Sequence, residues 1–70
     1  MAEILSPMAG KVTNILVKPG DSVSDGDEVV MLESMKMEIP VMSEDDGVVK
    51  TIHVAPNTPV EAGTLLITLE

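Results

Sequence analysis

Apolar and turn-forming residues recur along the chain at a fixed spacing. An offset of 37 positions, without any gap, places residues 10–33 on residues 47–70 with the aliphatic and turn positions matched. Two copies of one supersecondary unit need to share such a turn-and-core skeleton. The pattern therefore predicts two related units within a single domain that covers residues 1–70. In the first copy the matched positions are Gly10, Val12, Ile15, Val17, Pro19, Val23, Gly26, Leu32 and Glu33.

The residue pattern in each copy predicts a strand, a turn, a short strand, a second turn and a final strand. The first strand, over residues 10–17, leads into a turn in which Pro19 presets one dihedral angle and Gly20 supplies the positive φ of a type II turn. Asn57 takes the equivalent position in the second copy, because asparagine tolerates the left-handed region. The later turns are predicted at 25–27 and 62–64, and the final strands at 28–33 and 65–69.

Residues 12–16 also fit a helical period, because Val12, Ile15 and Leu16 would share one helix face. The β-branched residues and the nearby Pro19 argue against a helix. We therefore expect a strand with a β-bulge near residues 13–14, and its repeat near residues 50–51.

An all-β fold follows from this pattern and from the composition. The chain has ten Val and five Ile but no Phe, Tyr, Trp or Cys, so its core must be aliphatic. Neither copy can bury its apolar face alone, so the two are expected to pack face to face as a flattened barrel or sandwich with pseudo-twofold symmetry. The connection at residues 33–38 should lie on or near the symmetry axis and form a hairpin, with Met35 and Lys36 at its tip.

Charge and composition exclude several classes of function. Four lysines, no arginine and twelve carboxylates give a net charge of −8, which repels nucleic acid, and no aromatic ring is present to stack on bases. The longest apolar run, residues 29–32, is too short to cross a membrane, and the N-terminal residues lack the features of a secretory signal. A cytoplasmic location is therefore expected. No metal site is expected, because His53 is the only histidine and the chain has no cysteine.

The sequence ESMKM at residues 33–37 resembles the attachment motif of biotinyl domains, the biotin/lipoyl attachment family. The resemblance also covers SPMAG at residues 6–10 and the turn at residues 19–21, and so most of the chain. Ser34 departs from the alanine that is common in the motif. No insertion is long enough for a protruding thumb, so the chain looks closest to thumbless biotin carboxyl carrier proteins. The resemblance implies a barrel-sandwich hybrid of two four-stranded antiparallel sheets.

The resemblance also implies a function. Lys36 would be biotinylated by a biotin protein ligase and would carry a carboxyl group from a biotin carboxylase to a carboxyltransferase, without catalysing either reaction. Met35 and Met37, and also Glu33, would be contacted by the ligase and the partner enzymes. Glu33 and Glu38 are equally well explained as solvated charges.

Two other readings remain. Lipoyl domains resemble this fold and carry lipoate on a hairpin lysine, although they usually flank it with Asp and Ala rather than Met. Alternatively, the chain is a plain β-sandwich interaction module in which Lys36 is an ordinary solvated turn residue.

Overall fold

The structure, a computed structural model, describes residues 2–70, which form eight β-strands. Residues 2–70 contain no helix with the length and apolarity that crossing a bilayer requires. The predicted all-β class is confirmed. The strands are β1 (Ala2–Leu5), β2 (Gly10–Ile15), β3 (Ser22–Val23), β4 (Glu28–Ser34), β5 (Met37–Met42), β6 (Gly47–Ile52), β7 (Pro59–Val60) and β8 (Leu65–Leu69).

The strands form two antiparallel four-stranded sheets, as the fold prediction requires. One sheet has the order β1-β8-β6-β3 and the other the order β5-β4-β2-β7. Each sheet therefore takes two strands from each copy, so the copies are interleaved rather than stacked as two separate layers. The interleaving results from pairing between strands that are distant in the sequence. The spacing of apolar residues within one copy does not predict which strands pair.

The backbone hydrogen bonds confirm the pseudo-twofold symmetry, because they recur at the same offset of 37. The Gly20 N–H donates to the Val49 carbonyl at 2.8 Å, and the Asn57 N–H donates to the Val12 carbonyl at 2.6 Å. These two bonds link the copies in both directions. Each copy therefore completes the hydrogen bonding of the other.

The local turn and bulge predictions are confirmed. Gly20 has a φ of 95°, and the Asp21 N–H donates to the Lys18 carbonyl at 3.0 Å across the turn. Asn57, its counterpart, has a φ of 70°. The pairing register shifts between Val12 and Asn14 in β2, as expected for a bulge there. The equivalent shift in β6 lies between Val49 and Thr51.

The core lies between the sheets and consists of aliphatic side chains. Val29 and Val30 are adjacent in β4 and yet both fully buried, because the register with β5 shifts between Glu28 and Val30. A bulge lets two neighbouring residues face the same way, which a regular strand does not allow. The buried set is Ile4, Val12, Val23, Val29, Val30, Leu32, Val41, Val49, Val60, Leu66, Ile67 and Leu69.

Two buried serines extend the repeat beyond the segment matched in sequence. The Ser6 hydroxyl donates to the Met8 carbonyl at 2.7 Å, and the Ser43 hydroxyl donates to the Asp45 carbonyl at 2.6 Å. Both side chains are almost fully buried and both partners lie two residues further on. Their equivalence extends the structural repeat back to the residues that directly follow β1 and β5, before Gly10 and Gly47.

Candidate functional site

The predicted hairpin is formed by β4 and β5. Ser34 and Met37 are the last paired residues, and Met35 and Lys36 make the two-residue turn between them. Contrary to the prediction, the hairpin does not lie on or near the symmetry axis, because the repeat relates it to a strand pair in the other sheet. Its counterpart under the offset of 37 is the pairing of β8 with β1, at the two ends of the chain.

Both turn residues have the left-handed backbone conformation. Met35 has a φ of 53° and Lys36 a φ of 65°. Positive φ at both central residues defines the type I′ turn, whose twist matches that of the flanking strands and which normally uses Asn-Gly. For residues other than Gly and Asn, the left-handed conformation costs about 1–2 kcal/mol of conformational free energy per residue. The ladder of β4 with β5 therefore holds Met35 and Lys36 in a conformation that neither residue favours.

The tip of the hairpin is open to solvent and its base is not. Met35 is 90% exposed and Met37 61% exposed, and Lys36 is also exposed. Below the tip, Leu32 and Val41 are buried in the core. The arrangement presents one primary amine, flanked by two thioether side chains, on a rigid base.

Exposure alone does not distinguish Lys36 from the other lysines. Lys11 and Lys50 lie in strands and Lys18 begins a turn, and all three are exposed. Lys36 differs by its place in a two-residue turn that projects beyond the sheet. A modifying enzyme that recognises a hairpin tip would distinguish the four amines by this geometry.

Glu33 and Glu38 face each other across the hairpin as Cα partners, and Lys11 is the partner of Glu33 on its other side. All three side chains are exposed. Like charges directly opposite each other destabilise a sheet, whereas opposite charges stabilise it. Lys11 therefore offsets part of the repulsion between the two glutamates. The sequence pattern gives no indication of this role for Lys11.

Gly10, the first residue of β2, allows the start of that strand to lie close against the hairpin. A Cβ atom at Gly10 would lie 2.8 Å from the Glu33 carbonyl oxygen and 3.5 Å from the Cβ of Ser34. Contacts that short do not occur without movement of one partner, so only glycine fits here. The repeat identified Gly10 as a shared position, but this close backbone approach has no signal in the sequence.

The remaining polar residues do not converge on a second site. Within residues 2–70, no three His, Cys, Asp or Glu side chains are placed to share a metal ion. His53 is exposed, and its Nε2 lies 2.8 Å from Thr68 Oγ1. In the acidic turn, Asp46 Oδ1 accepts a hydrogen bond of 2.8 Å from the Asp25 N–H. That carboxylate therefore has a structural role in joining two loops.

The amine of Lys36, at the tip of an exposed hairpin, is accessible to covalent modification. Residues 2–69 match the biotin/lipoyl family model, described as "Biotin-requiring enzyme". The chain belongs to the biotin/lipoyl attachment family. The expected family is confirmed, and the family description supports biotin as the cofactor, in preference to lipoate.

Relatives of several sizes contain a similar segment. The chain is 42% identical over 62 residues to the Biotin/lipoyl attachment protein of Bacillus subtilis, covering 89% of this chain and 85% of that protein. It is also 42% identical over 65 residues to the mitochondrial propionyl-CoA carboxylase alpha chain of Homo sapiens. That match covers 93% of this chain but only 9% of the human protein. The chain thus corresponds to a small part of the large carboxylase relatives.

A solved structure has the same fold. The crystal structure of the Kluyveromyces lactis urea carboxylase superimposes with a TM-score of 0.92 at 30% sequence identity. The match covers 99% of this chain and 6% of the urea carboxylase chain. The predicted barrel-sandwich architecture is therefore confirmed by comparison as well as by the strand pairing.

Proposed function

We propose that a biotin protein ligase joins the carboxyl group of biotin to Lys36 Nζ through an amide bond. One observation carries the proposal: Lys36 lies in the two-residue turn of an exposed hairpin, between two exposed methionines, in a chain of the biotin/lipoyl family. The other three lysines have no such setting.

The site fits a bulky group attached through an amide. The neighbouring Met35 is almost fully exposed, so space around the tip is open to solvent. When bound, biotin supplies the chemistry of accepting a carboxyl group at one enzyme and releasing it at another. The chain contributes a fixed attachment point. A tether of this kind keeps the carried group at high effective concentration near each partner site.

The partners we propose are a biotin carboxylase and a carboxyltransferase, with the ligase acting before them, all in the cytoplasm. The chain itself catalyses none of these steps. Met35 and Met37, together with Glu33, would form the surface that these enzymes contact. Methionine suits successive partners because its unbranched thioether chain adapts to different surfaces.

Ala2 pairs with Leu69 in one sheet, whereas the Lys36 hairpin belongs to the other sheet. A connection to further protein through either end would leave the hairpin unobstructed.

Intact mass spectrometry of the chain coexpressed with a biotin protein ligase tests the proposal. We expect the wild type to gain the mass of one biotin less one water, and the net charge to change from −8 to −9 as the amine is acylated. Lys36→Arg should gain nothing. The matched control Lys50→Arg, also an exposed lysine, should be modified like the wild type.

An unmodified wild type, or an adduct that persists in Lys36→Arg, would overturn the assignment. Coexpression with a lipoate ligase in the same host background distinguishes the alternative cofactor, because lipoate gives a different adduct mass. Predominant lipoylation at Lys36 would leave the attachment residue correct and the cofactor wrong.

A further inference from the structure

A second surface feature lies away from the hairpin tip and plays no part in the proposed attachment. It is a groove of two adjoining lobes, of about 300 and 350 Å³, whose shared lining consists of Leu5, Pro7, Met42 and Glu44. We call it the axial groove, because Leu5 and Met42 are equivalent under the offset of 37. Two equivalent residues that line one groove must lie on either side of the pseudo-twofold axis.

The apolar lining of the axial groove is exposed. Leu5 is 49% exposed and Met42 51% exposed, even though their neighbours Ile4 and Val41 are buried in the core. Pro7 lines both lobes and Pro40 lines the second. The groove is therefore a depression with an exposed apolar part that the domain's own side chains do not fill.

The groove has an acidic rim. Glu3 and Asp45 line the first lobe, Asp25 lines the second, and Glu44 lies between them. None of the described residues that line either lobe is basic. In a chain with a net charge of −8, this is a partly apolar site with four carboxylates and no basic residue in its described lining. Charge complementarity favours a positively charged occupant with apolar side chains.

The edge strands determine how such an occupant can bind. β1 and β5 are the outer strands of their sheets, and their ends border the groove. Pro40 lies within β5 and has no N–H to donate, so an added strand could not pair regularly along this edge. An occupant that lies along β5 would therefore bind mainly by inserting side chains into the lobes, rather than by extending that sheet.

We propose that the axial groove docks an extended segment of a partner protein in which two apolar side chains alternate with lysines or arginines. One apolar side chain occupies each lobe, and the cations face the carboxylates of the rim. A contact of this small size is weak and transient, which suits a domain that must leave one partner for the next. A second copy of this chain is disfavoured as the occupant, because it carries the same charge of −8.

Titration of the ¹⁵N-labelled domain with the peptide acetyl-Lys-Leu-Lys-Leu-Lys-amide tests the proposal by NMR. We expect saturable shifts that centre on the amides of Leu5, Met42 and Glu44. The peptide Lys-Ser-Lys-Ser-Lys has the same charge without apolar side chains and should bind more than about tenfold more weakly. The peptide Glu-Leu-Glu-Leu-Glu should not bind measurably.

Two single substitutions locate the site. Met42→Lys places a cation in the groove and should weaken binding of the Leu/Lys peptide by more than about tenfold. Leu16→Lys is the matched control, because Leu16 is 46% exposed and outside the groove, and the change in net charge is the same. It should leave the affinity within about twofold. The dispersion of the amide spectrum verifies that each variant is folded.

Three results would overturn the proposal. The first is equal binding of the Leu/Lys and Lys/Ser peptides, with shifts spread over the acidic surface, which would indicate charge attraction alone. The second is an equal loss of affinity in Met42→Lys and Leu16→Lys. The third is the appearance of the groove shifts on concentrating the free domain, with dimers in sedimentation, which would make a second copy the occupant.

Discussion

Ser34 and Met37 face each other as the last Cα pair of the hairpin, and only Met35 and Lys36 join them. A two-residue connection favours the type I′ and II′ turns, and here both residues take the positive φ values of type I′. The attachment lysine is thus positioned by the strands below it rather than by the preferences of the turn sequence. A substitution in the turn can therefore change the stability of the hairpin while Lys36 stays exposed.

Met35→Asn is predicted to stabilise the domain. Asparagine tolerates the left-handed region much better than methionine, so the substitution should recover about 1 kcal/mol. Met35 is 90% exposed and gives up almost no buried surface. For a domain of this size that gain corresponds to a rise in Tm of about 4–8 °C. Differential scanning calorimetry measures it.

Met37→Asn is the matched control, because Met37 is also exposed but lies in β5, outside the positive-φ turn. Asparagine is depleted in strands, so this variant should be no more stable than the wild type. Equal stabilisation by both changes would show that loss of exposed methionine, and not the turn conformation, is responsible. The rate of biotinylation of Met35→Asn would measure separately how far the ligase depends on Met35.

The two equivalent glycines are predicted to differ in their tolerance of alanine. A Cβ at Gly10 would meet the Glu33 carbonyl at 2.8 Å, and one at Gly47 would meet the Glu70 carbonyl at 2.9 Å. Glu33 is paired with Lys11 on one side and with Glu38 on the other, whereas Glu70, beyond β8, has backbone hydrogen bonds to Val48 on one side, of 2.8 and 3.4 Å. Gly10→Ala should therefore cost about 1–3 kcal/mol and Gly47→Ala less.

Urea unfolding of both glycine variants tests this difference. The midpoint should fall further for Gly10→Ala, with an unchanged dependence on urea concentration. A larger loss for Gly47→Ala would show that its additional contact, 3.3 Å from the Leu69 Cβ, matters more than the fixed position of Glu33.

Glu38→Lys is predicted to stabilise the hairpin by converting the facing pair of glutamates into an opposite-charge pair. Cross-strand pairs contribute about 0.2–1 kcal/mol, and the gain should shrink in high salt because both side chains are exposed. Glu28→Lys makes the same change in net charge on the same hairpin, but it faces Met42. Thermal unfolding at low and high salt should separate the two variants. Equal gains would attribute the effect to net charge alone.

The features predicted correctly from the sequence depend on local chemistry that occurs twice. Gly20 and Asn57 are found at equivalent turns because few residues tolerate positive φ, and each copy has its own bulge at the expected place. The two-residue hairpin around Lys36 follows from the connection that the repeat leaves between its copies. These predictions needed no knowledge of which strands pair.

Other features depend on contacts between distant segments and have no local pattern. The interleaving of the copies is set by pairs such as Ala2 with Leu69, which are nearly the whole chain apart. The burial of Ser6 follows from its position between loops, and nothing in its neighbours marks it as different from an exposed serine. The closeness of Gly10 to Glu33 likewise exists only once β2 and β4 are side by side.

Leu32→Ala is predicted to unfold much of the population. Leu32 is fully buried in β4, two residues before the end of the hairpin strand, and its truncation leaves a cavity that costs about 2–5 kcal/mol. A 70-residue domain has a small core and correspondingly little stability to lose. Leu16→Ala is the matched control, because Leu16 is about half exposed and should cost much less. Circular dichroism during urea titration should give a low midpoint for Leu32→Ala and one close to wild type for Leu16→Ala. Similar midpoints for both would contradict the assignment of Leu32 to the core beneath the attachment site.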